Sequence, residues 1–468
     1  MCRDKTAANR NCLARPGCDY YWSYGGNLIE TQEIEMSASA PTASQPWERH
    51  LIRYGMETVP RLVAKARGSV LWDTEGREIL DFTSGQMCAT IGHNHPRIVA
   101  AIEKACDGAL HLYSGMMSPA VVELAGRLAA MLPPNLAKAL FLSTGAEANE
   151  AALRMAKLHT GRYEVVGMTG SWHGMTAGAA ASTYVAGRQG YGPSAPGTMA
   201  IPAPNAYRCP IRHCQGSCDM TCLDVGFDLV DAQSSGALAA CIAEPVQSSG
   251  GVIVPPKGYF AKLKRKCEER GMLLILDEAQ TAFGRLGANF AFELFDVEPD
   301  LLSLSKTLGG GLPLAATVTS DAIEEDCHAK GFVHATSHIS DPLPAEVGLA
   351  VLDVLEEEDL NARALKIGER LKDGLLALQQ RYEIIGDVRG FGLLLGVELV
   401  KDRHSRDPDA ERGRAITRRC MELGLSMNIV SVGNMASVWR VAPALTVTEA
   451  EIDRGLAILD EAIGSVVN

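Results

Sequence analysis

Two predicted strands end in side chains whose chemistry is complementary. The run LLILDEAQ places Asp277 directly after apolar residues, and LLSLSKTLGGG places Lys306 after a second apolar run. A lysine that leaves an apolar strand for a crevice is a candidate Schiff-base former, since partial desolvation lowers the pKa of its amine. A carboxylate at a neighbouring strand end is a suitable partner for a pyridinium nitrogen. The pair therefore suggests pyridoxal phosphate chemistry, with a buried Lys306–Asp277 ion pair as the alternative.

A phosphate site is indicated by STGAEANEA, where a predicted strand runs into a helix through Thr144, Gly145 and Ala146. Backbone N–H groups and the macrodipole at a helix N-terminus favour an anion. An ordinary helix cap is the alternative, because Ser/Thr-x-x-Glu is also a capping box. In SWHG, Trp172 follows another predicted strand, where its face could stack on a planar ring, although Trp172 and His173 could equally be core residues. The four features together favour cofactor binding.

These strand ends belong to an alternating pattern that begins at Trp47 and continues to about residue 345. The runs KALFLSTG, YEVVGMTG, AACIAEPV, MLLILDEA, LLSLSKTL and LAATVTSD each predict a buried strand, and segments such as AEANEAALRMAKLHTG and GYFAKLKRKCEERG predict helices between them. Apolar strands separated by helices imply a parallel sheet covered on both faces, whose ligands bind beyond the carboxyl ends of the strands. The remaining residues predict long helices, Ala345–Glu358 and Asn361–Arg381, and one strand in GFGLLLGVELV.

We therefore predict an α/β fold, with a large domain built on a mostly parallel sheet and a smaller α+β domain. Four segments are expected. They are a flexible N-terminal extension at 1–45, a segment at 46–80 that joins the small domain, a large domain at 81–345 and a small C-terminal domain at 346–468.

Composition excludes several classes of protein. The chain has 468 residues, 47% of them hydrophobic and 21% charged, which is typical of globular proteins. Its net charge of −12, without a basic run, argues against nucleic-acid binding. The N-terminus lacks the apolar core of a signal peptide, and no run of about 18 apolar residues predicts a membrane helix. We expect a soluble, cytoplasmic protein; a mitochondrial transit peptide is the less favoured alternative, because Asp4 and the missing amphipathic pattern argue against it.

The motifs STGAEANE, SWHG, IAEPVQSSGG, LILDEAQTAFGR and LSLSKTLGGGLPLAA resemble those of the class III aminotransferases, which are fold-type I pyridoxal phosphate enzymes. The similarity extends from about Trp47 to the C-terminus. A narrower similarity, in TSGQM, SWHGMT, SHISDPLP and LSMNIV…WRVAPALTVTE, is to the 2,2-dialkylglycine decarboxylases. That family converts a dialkylglycine to a ketone and CO2 and passes the amino group to pyruvate, giving L-alanine.

The resemblance implies this decarboxylating transamination, small amino acid and keto acid substrates, and a homodimer or homotetramer with shared active sites. An ω-aminotransferase or racemase on the same scaffold, without decarboxylation, is the alternative function. An interaction-only homologue is the third, and the intact lysine and phosphate loop argue against it. Nucleic acid and membrane are not expected as partners.

The resemblance also implies a set of cofactor-binding residues. They are Lys306, Asp277, Trp172, Thr144, Gly145, Ala146, Gln280 and, from across the dimer interface, Ser337. Lys306 is then the Schiff-base lysine and proton shuttle, Asp277 pairs with the pyridine nitrogen, and Trp172 stacks on the ring. Gln280 reaches the phenolic oxygen of the cofactor. Ser337 stands where the family has threonine, so that the hydroxyl is kept and the methyl group is lost.

The implied substrate pocket consists of Gln86, Met175, Ser249 and Arg440. Arg440 clamps the substrate carboxylate, a bidentate task that suits arginine, and Gln86 hydrogen-bonds the departing carboxylate. The family also binds an alkali cation, potassium or alternatively sodium, through oxygen ligands. The matching positions are Leu112, Ser114, Ser337, Ile339 and Asp341. A second cation site is expected to be weaker, because Leu132 replaces a hydroxyl ligand.

One segment departs from the family pattern: YRCPIRHCQGSCDMTCLD carries Cys209, Cys214, Cys218, Cys222 and His213. Four thiols and an imidazole can hold zinc in a tetrahedral site. Their gaps of four, three and three residues differ from the two-residue gaps of zinc knuckles. Free thiols in a surface loop are therefore favoured over paired cysteines and over structural zinc.

Overall fold

The computed structural model describes residues 50–52, 54, 58–186, 188–211, 218–430 and 437–467. Arg61–Asn468 forms one compact unit. The other unit is Met1–Pro60, and its described residues carry no helix or strand. The predicted extension at 1–45 lies outside the described residues.

The described part of the chain forms a large sheet and two smaller ones. The strands are β1 (Val63–Arg67), β2 (Val70–Asp73), β3 (Glu78–Asp81), β4 (Lys138–Leu142), β5 (Glu164–Met168), β6 (Thr198–Ile201), β7 (Leu238–Ala243), β8 (Leu273–Asp277), β9 (Leu301–Leu304), β10 (Ala315–Thr319), β11 (Ile385–Phe391), β12 (Leu394–Leu399), β13 (Leu425–Ser426), β14 (Asn428–Val430) and β15 (Val438–Val441).

Helices cover these sheets. They are α1 (Ser84–Met87), α2 (Pro96–Cys106), α3 (Pro119–Met131), α4 (Gly145–Thr160), α5 (Ala177–Ala181), α6 (Thr221–Gln233), α7 (Tyr259–Glu268), α8 (Ala291–Leu294), α9 (Asp321–Ala329), α10 (Pro342–Glu357), α11 (Leu360–Arg381), α12 (Ala410–Glu422) and α13 (Glu449–Val467). A single 3-10 turn, Lys306–Gly309, follows β9. Among the described residues, no helix combines the length and apolar character needed to cross a bilayer.

The large sheet has the strand order β4-β10-β9-β8-β7-β5-β6. Strands β6, β5, β7, β8 and β9 run parallel, so their carboxyl ends lie at one edge of the sheet. Every residue of β5, β7 and β9 is buried, because helices cover both faces. The predicted α/β fold class with a mostly parallel sheet is confirmed. Asp277 ends β8 and Lys306 follows β9, which places both at the carboxyl edge.

Each of the six predicted strands of the large domain is present, but β10 runs antiparallel to both β9 and β4. A parallel neighbour would need a crossover of a dozen or more residues. Between Leu304 and Ala315 the chain instead makes the 3-10 turn and reverses through Gly310 and Gly311, both with left-handed backbone. The turn after Lys306 thus sets the direction of β10.

The segment GFGLLLGVELV contains the predicted strand but also part of a second one. Its first residues end β11, and the remainder forms β12, which pairs antiparallel with β11. Gly390 and Gly392, with φ of 127° and 51°, allow the reversal between the two strands. Apolar content indicated a strand correctly, but the glycines divide it into a hairpin.

The two smaller sheets have the orders β1-β2-β3-β13 and β11-β12-β15-β14. The parallel pairing of β3 with β13 joins the segment before residue 82 to the C-terminal part of the chain. Arg440 lies in β15, between β12 and β14, where all four strand residues are buried. The division of the chain into four segments stays a prediction.

Candidate active site

Asp277 lies in a buried hydrogen-bond network at the end of β8. Its Oδ2 accepts a hydrogen bond of 2.7 Å from Asn149 Nδ2 and lies 2.8 Å from His173 Nδ1. Asn149 also donates to the carbonyl of His173. Because these three side chains come from β8, α4 and the loop after β5, the carboxylate is held from two sides. Asp277 and Lys306 do not form an ion pair, and the carboxylate of Asp277 contacts Asn149 and His173 instead.

Lys306 begins the 3-10 turn with a left-handed backbone, φ 49°. Although part of its side chain remains exposed, desolvation lowers the pKa of its amine. The nearby charge of Arg440 lowers this pKa further, whereas Asp277 and Glu244 raise it. A lowered pKa increases the fraction of neutral amine, which is the form that acts as a nucleophile and as a base.

Helix α4 begins at the expected anion site, and the predicted capping box is present too. Thr144 Oγ1 accepts from the Glu147 N–H, and the Glu147 carboxylate accepts from Thr144 N. Thr144 is therefore engaged in capping, whereas the N–H groups of Gly145 and Ala146 belong to the first turn, where a helix provides no acceptor. A methyl group on Gly145 would lie 3.4 Å from both Ala279 and Ser305, so this turn touches the segments of Asp277 and Lys306.

The loop that carries Trp172 is fixed next to the same turn. A Cβ on Gly174 would lie 2.4 Å from the Cβ of Ala146. The N–H of Trp172 donates to Glu244 Oε1, and the other oxygen of Glu244 accepts from Ser248 N. Burial raises the pKa of Glu244 to about 7, and its charge interaction with His173 opposes that rise. The half-buried indole of Trp172 thus has a fixed backbone anchor.

Arg440, Ser249 and Gln280 meet at one hydroxyl group. Arg440 Nη1 donates to Ser249 Oγ at 3.4 Å, and Gln280 Nε2 donates to the same oxygen at 3.5 Å. Arg440 is 7% exposed, and burial lowers its pKa to about 10, so the guanidinium stays charged at neutral pH. Within the part of the chain that the structure describes, no carboxylate forms a salt bridge with it. A buried cation without an anionic partner is suited to binding a substrate carboxylate.

Gln86 is exposed and lies in a strained segment. Ser84 and Met87 have φ of 44° and 61°, and Gln86 itself departs from helical geometry. The Ser248 hydroxyl lies 3.9 Å from Met87 Sδ, which places the segment next to the loop of Ser249. Met175, in contrast, is 53% exposed and has no described contact with this cluster.

One predicted cation ligand, Asp341, has contacts that the sequence did not indicate. Asp341 is buried, and its two carboxylate oxygens each lie 2.6 Å from the Nδ1 of a histidine, His111 and His338. Ile339 packs against the core near β4, whereas Leu112 is half-buried and Ser114 is exposed. Ser337 is exposed as well. The alkali cation stays a prediction.

The cysteine-rich segment is only partly described. Cys214 and His213 lie outside the described residues, while Cys209, Cys218 and Cys222 lie within them. The three interpretations of this segment therefore stay open.

The sequence predicted no role for Asn149, Glu244 or Arg285, and His173 fitted either a site or a core position. Each of the four is a polar residue almost without solvent exposure. The sequence did contain an indication of burial, since all four residues lie inside the quoted motifs next to apolar or small residues. Their partners are distant in sequence, however, so the pairing itself was not predictable.

The comparisons with known proteins agree with this geometry. A family model described as "Aminotransferase class-III" matches residues 53–463. An uncharacterized aminotransferase of Schizosaccharomyces pombe is 49% identical, over 89% of this chain and 93% of its own length. A leucine/methionine racemase of Thermococcus litoralis is 36% identical, over 87% and 91%. The crystal structure of an (S)-enantioselective omega-transaminase from Thermomicrobium roseum is similar, with a TM-score of 0.83 and 29% identity over 90% of this chain and 98% of that one.

Membership of this family implies pyridoxal phosphate, and the residues present fit that group. Lys306 supplies an amine of lowered pKa, and Asp277 supplies a fixed carboxylate. The N–H groups of Gly145 and Ala146 suit a phosphate. Gln280 Oε1 is buried and has no hydrogen-bond partner among the described residues, as expected of a group that binds a ligand. The chain belongs to the class III aminotransferases.

Proposed function

We propose that this protein transfers an amino group between an amino acid and a 2-keto acid without decarboxylation. Arg440 binds the substrate carboxylate, and the reacting carbon lies beside Lys306. The observation that carries the proposal is the buried guanidinium of Arg440, which has no carboxylate partner among the described residues and lies close enough to lower the pKa of Lys306. The aminotransferase and omega-transaminase relatives support the same reaction class.

Bound pyridoxal phosphate would supply the electron sink that makes a bond to the reacting carbon labile. Asp277 would hold its ring nitrogen, and Asn149 and His173 fix the direction of that carboxylate. Lys306 Nζ, with its lowered pKa, can accept a proton from the substrate carbon and return it. Arg440 fixes one end of the substrate, which limits the orientations of that carbon.

The test is an assay of the purified protein, loaded with pyridoxal phosphate, against a panel of amino acids with 2-keto acid acceptors. We expect keto acid formation from carboxylated donors, and no turnover by Lys306→Ala. Arg440→Gln should raise KM for carboxylated donors by about tenfold or more, because a charge-assisted hydrogen bond is lost. Absence of transfer from every donor, or an unchanged KM in Arg440→Gln, would contradict the proposal.

The second candidate is the decarboxylating transamination of 2,2-dialkylglycines, which the position of Gln86 favours. A dialkylglycine has no Cα hydrogen, so the bond that breaks must be the one to its carboxylate. One site then needs two carboxylate positions, and Arg440 supplies only one of them. Gln86 is exposed, on a segment that reaches the Ser249 loop through Met87, and its amide can hydrogen-bond a carboxylate at the second position.

Carbon dioxide release distinguishes the two candidates. In the decarboxylating case, 2-aminoisobutyrate with pyruvate yields acetone, CO2 and alanine. Gln86→Ala then reduces CO2 release by roughly 10- to 1000-fold more than it reduces alanine–keto acid exchange, because the lost hydrogen bond acts only in the decarboxylation transition state. Rapid exchange without CO2 from any small dialkylglycine assigns the protein to simple amino transfer.

We also propose an alkali cation at Asp341, with potassium as the preferred ion. The support is a buried carboxylate whose oxygens contact His111 and His338, in the two chain segments that contain the other four predicted ligand positions. Amino transfer should then be faster in potassium than in tetramethylammonium at equal ionic strength. Asp341→Asn should abolish that difference, and an undiminished difference would exclude this site.

A homodimer or homotetramer is the expected assembly. Its support is an exposed apolar segment, in which Leu110, Tyr113, Met116 and Met117 are 49 to 75% exposed. Contiguous apolar exposure of this kind is typical of interfaces. Light scattering should give a multiple of the 50.0 kDa chain mass, and Tyr113→Glu should shift it toward the monomer. A monomer at micromolar concentration would contradict this part of the proposal.

A further inference from the structure

Arg285 is a completely buried arginine that forms no salt bridge among the described residues. Its donors instead contact two carbonyls and two hydroxyls. Nη1 donates to Pro443 O at 2.6 Å and Leu393 O at 3.2 Å, and Nη2 donates to Ser84 Oγ at 2.9 Å and Thr90 Oγ1 at 3.0 Å. An isolated buried charge is costly, so a guanidinium in such a place needs a compensating role.

The partners of Arg285 belong to the segments that carry the candidate active-site residues. Ser84 and Thr90 flank the strained segment of Gln86. Pro443 lies three residues after Arg440 in the chain. The hydroxyl of Thr307, the residue after Lys306, donates to Thr90 Oγ1 at 2.9 Å.

Each hydroxyl in this network has one defined role as a donor. Ser84 Oγ donates to Ala442 O and accepts from Arg285, and Thr90 Oγ1 donates to Met87 O while it accepts from Arg285 and Thr307. Both terminal nitrogens of Arg285 and all three hydroxyls have hydrogen-bond partners. A buried hydrogen-bond network of this kind favours a single arrangement of the segments that it joins.

The backbone of these segments is strained where the network holds it. Ser84, Met87 and Lys306 all have positive φ, between 44° and 61°, which is unfavourable for residues other than glycine. Such conformations persist only when the surroundings determine them. The hydrogen bonds from Arg285 to Ser84 and Thr90, and from Thr307 to Thr90, provide that constraint.

We propose that Arg285 is a positioning residue that fixes the Gln86 segment and the Lys306 turn relative to each other through Ser84, Thr90 and Thr307. A guanidinium suits this task because its planar fork has five donors in a fixed geometry, whereas an ammonium group has three and could not reach all four acceptors. The expected change in kcat rests on the proposed amino transfer. The positioning of the two segments by Arg285 does not depend on which substrate is bound.

The experiment uses the full chain loaded with pyridoxal phosphate and compares Thr307→Val with Thr319→Val. Both variants remove one buried hydroxyl. Thr319 Oγ1 donates to Asp300 O at 2.9 Å and lies at the opposite end of the sheet, paired with Leu301. We expect similar losses of Tm. Only Thr307→Val should alter the visible circular dichroism of the bound cofactor and lower kcat, by about tenfold, with a smaller change in KM.

A double-mutant cycle links the effect to Arg285. If Arg285 acts through Thr307, Arg285→Lys and Thr307→Val are non-additive in kcat, with a combined loss well below the product of the single losses. Ser84→Ala, which cuts the other branch, provides the same test should Arg285→Lys not fold. Additive losses of kcat in the double variant would overturn the proposal. A loss of kcat that is proportional to the loss of Tm in every variant, including Thr319→Val, would overturn it as well. Absence of amino transfer by the unchanged protein would refute only the proposed function, since the dichroism still tests Arg285.

Discussion

His173 Nδ1 lies 2.8 Å from Asp277 Oδ2, and both side chains are almost completely buried. This contact, together with that of Asn149, replaces the Lys306–Asp277 ion pair as the main interaction of the carboxylate. The amine of Lys306 has no salt-bridge partner among the described residues, and desolvation lowers its pKa.

Replacing His173 by Gln should lower kcat by roughly 10- to 100-fold, since a hydrogen bond to a charged group is worth about 1.5–3 kcal/mol. Steady-state kinetics and a titration with pyridoxal phosphate measure the effect. His159→Gln is the matched control: His159 Nδ1 also lies 2.8 Å from an aspartate, Asp326, but on the surface between α4 and α9. A loss of activity equal to that of the control would remove the special role of His173.

Replacing Gly174 by Ala should weaken cofactor binding, because the added Cβ would lie 2.4 Å from the Cβ of Ala146 in the first turn of α4. Either the Trp172 loop or that turn must then move. Gly161→Ala is the control, since Gly161 also has positive φ, yet no atom lies within 4 Å of its added Cβ. Both variants should lose about 1 kcal/mol of stability from backbone strain. Equal cofactor affinities in the two variants would contradict the proposed close contact.

Glu278 is completely buried, and its carboxylate accepts hydrogen bonds from Ala291 N, Phe292 N and the Thr281 hydroxyl. Burial raises its pKa from the ordinary 4.5 to about 7. Between the two pKa values, the folded state binds more protons than the unfolded state. The contribution of Glu278 to the free energy of unfolding is therefore largest below the unfolded pKa and is lost as pH rises through the folded pKa. This group alone should lower the unfolding free energy by on the order of 2 kcal/mol between about pH 5 and about pH 8.

Chemical denaturation at the two pH values tests this slope. Glu278→Gln should be less stable at acidic pH but should show a smaller decrease on going to alkaline pH. Glu269→Gln, on the surface at the end of α7, should keep the slope of the unchanged protein. A slope that Glu278→Gln leaves intact would assign the pH dependence to other groups, such as Glu244.

Six of the seven strands of the large sheet were predictable because burial on both faces demands continuous apolar runs, whereas the edge strand β6, only partly buried, was not predicted. Their polar ends at Asp277 and Lys306 were predictable for the same reason, since a polar residue marks where such a run meets the crevice. The direction of β10 was not, because it depends on the turn at Gly310 and Gly311 rather than on the composition of the strand. The pattern of apolar residues identifies a strand, whereas the direction in which the strand runs depends on the turn that connects it to the preceding strand.

The hydrogen bonds of the candidate site were less predictable than its residues. Thr144 was a candidate for both a phosphate contact and a capping box, and only the structure shows that its hydroxyl accepts from Glu147 N. The contact of His173 with Asp277 spans 104 residues of sequence. Such pairings depend on how loops pack after the sheet has formed, and no local pattern in the sequence records them.

Ser249 determines whether Arg440 is available to a substrate. Its hydroxyl contacts Arg440 Nη1 at 3.4 Å and leaves the guanidinium charge unneutralised. Ser249→Glu would place a carboxylate beside it, so KM for carboxylated donors should rise by about tenfold or more, while amines without a carboxylate should be unaffected. Ser249→Gln has a side chain of similar size without the charge and serves as the control. If both variants raise KM equally, steric crowding explains the effect, and the free charge of Arg440 does not select the substrate.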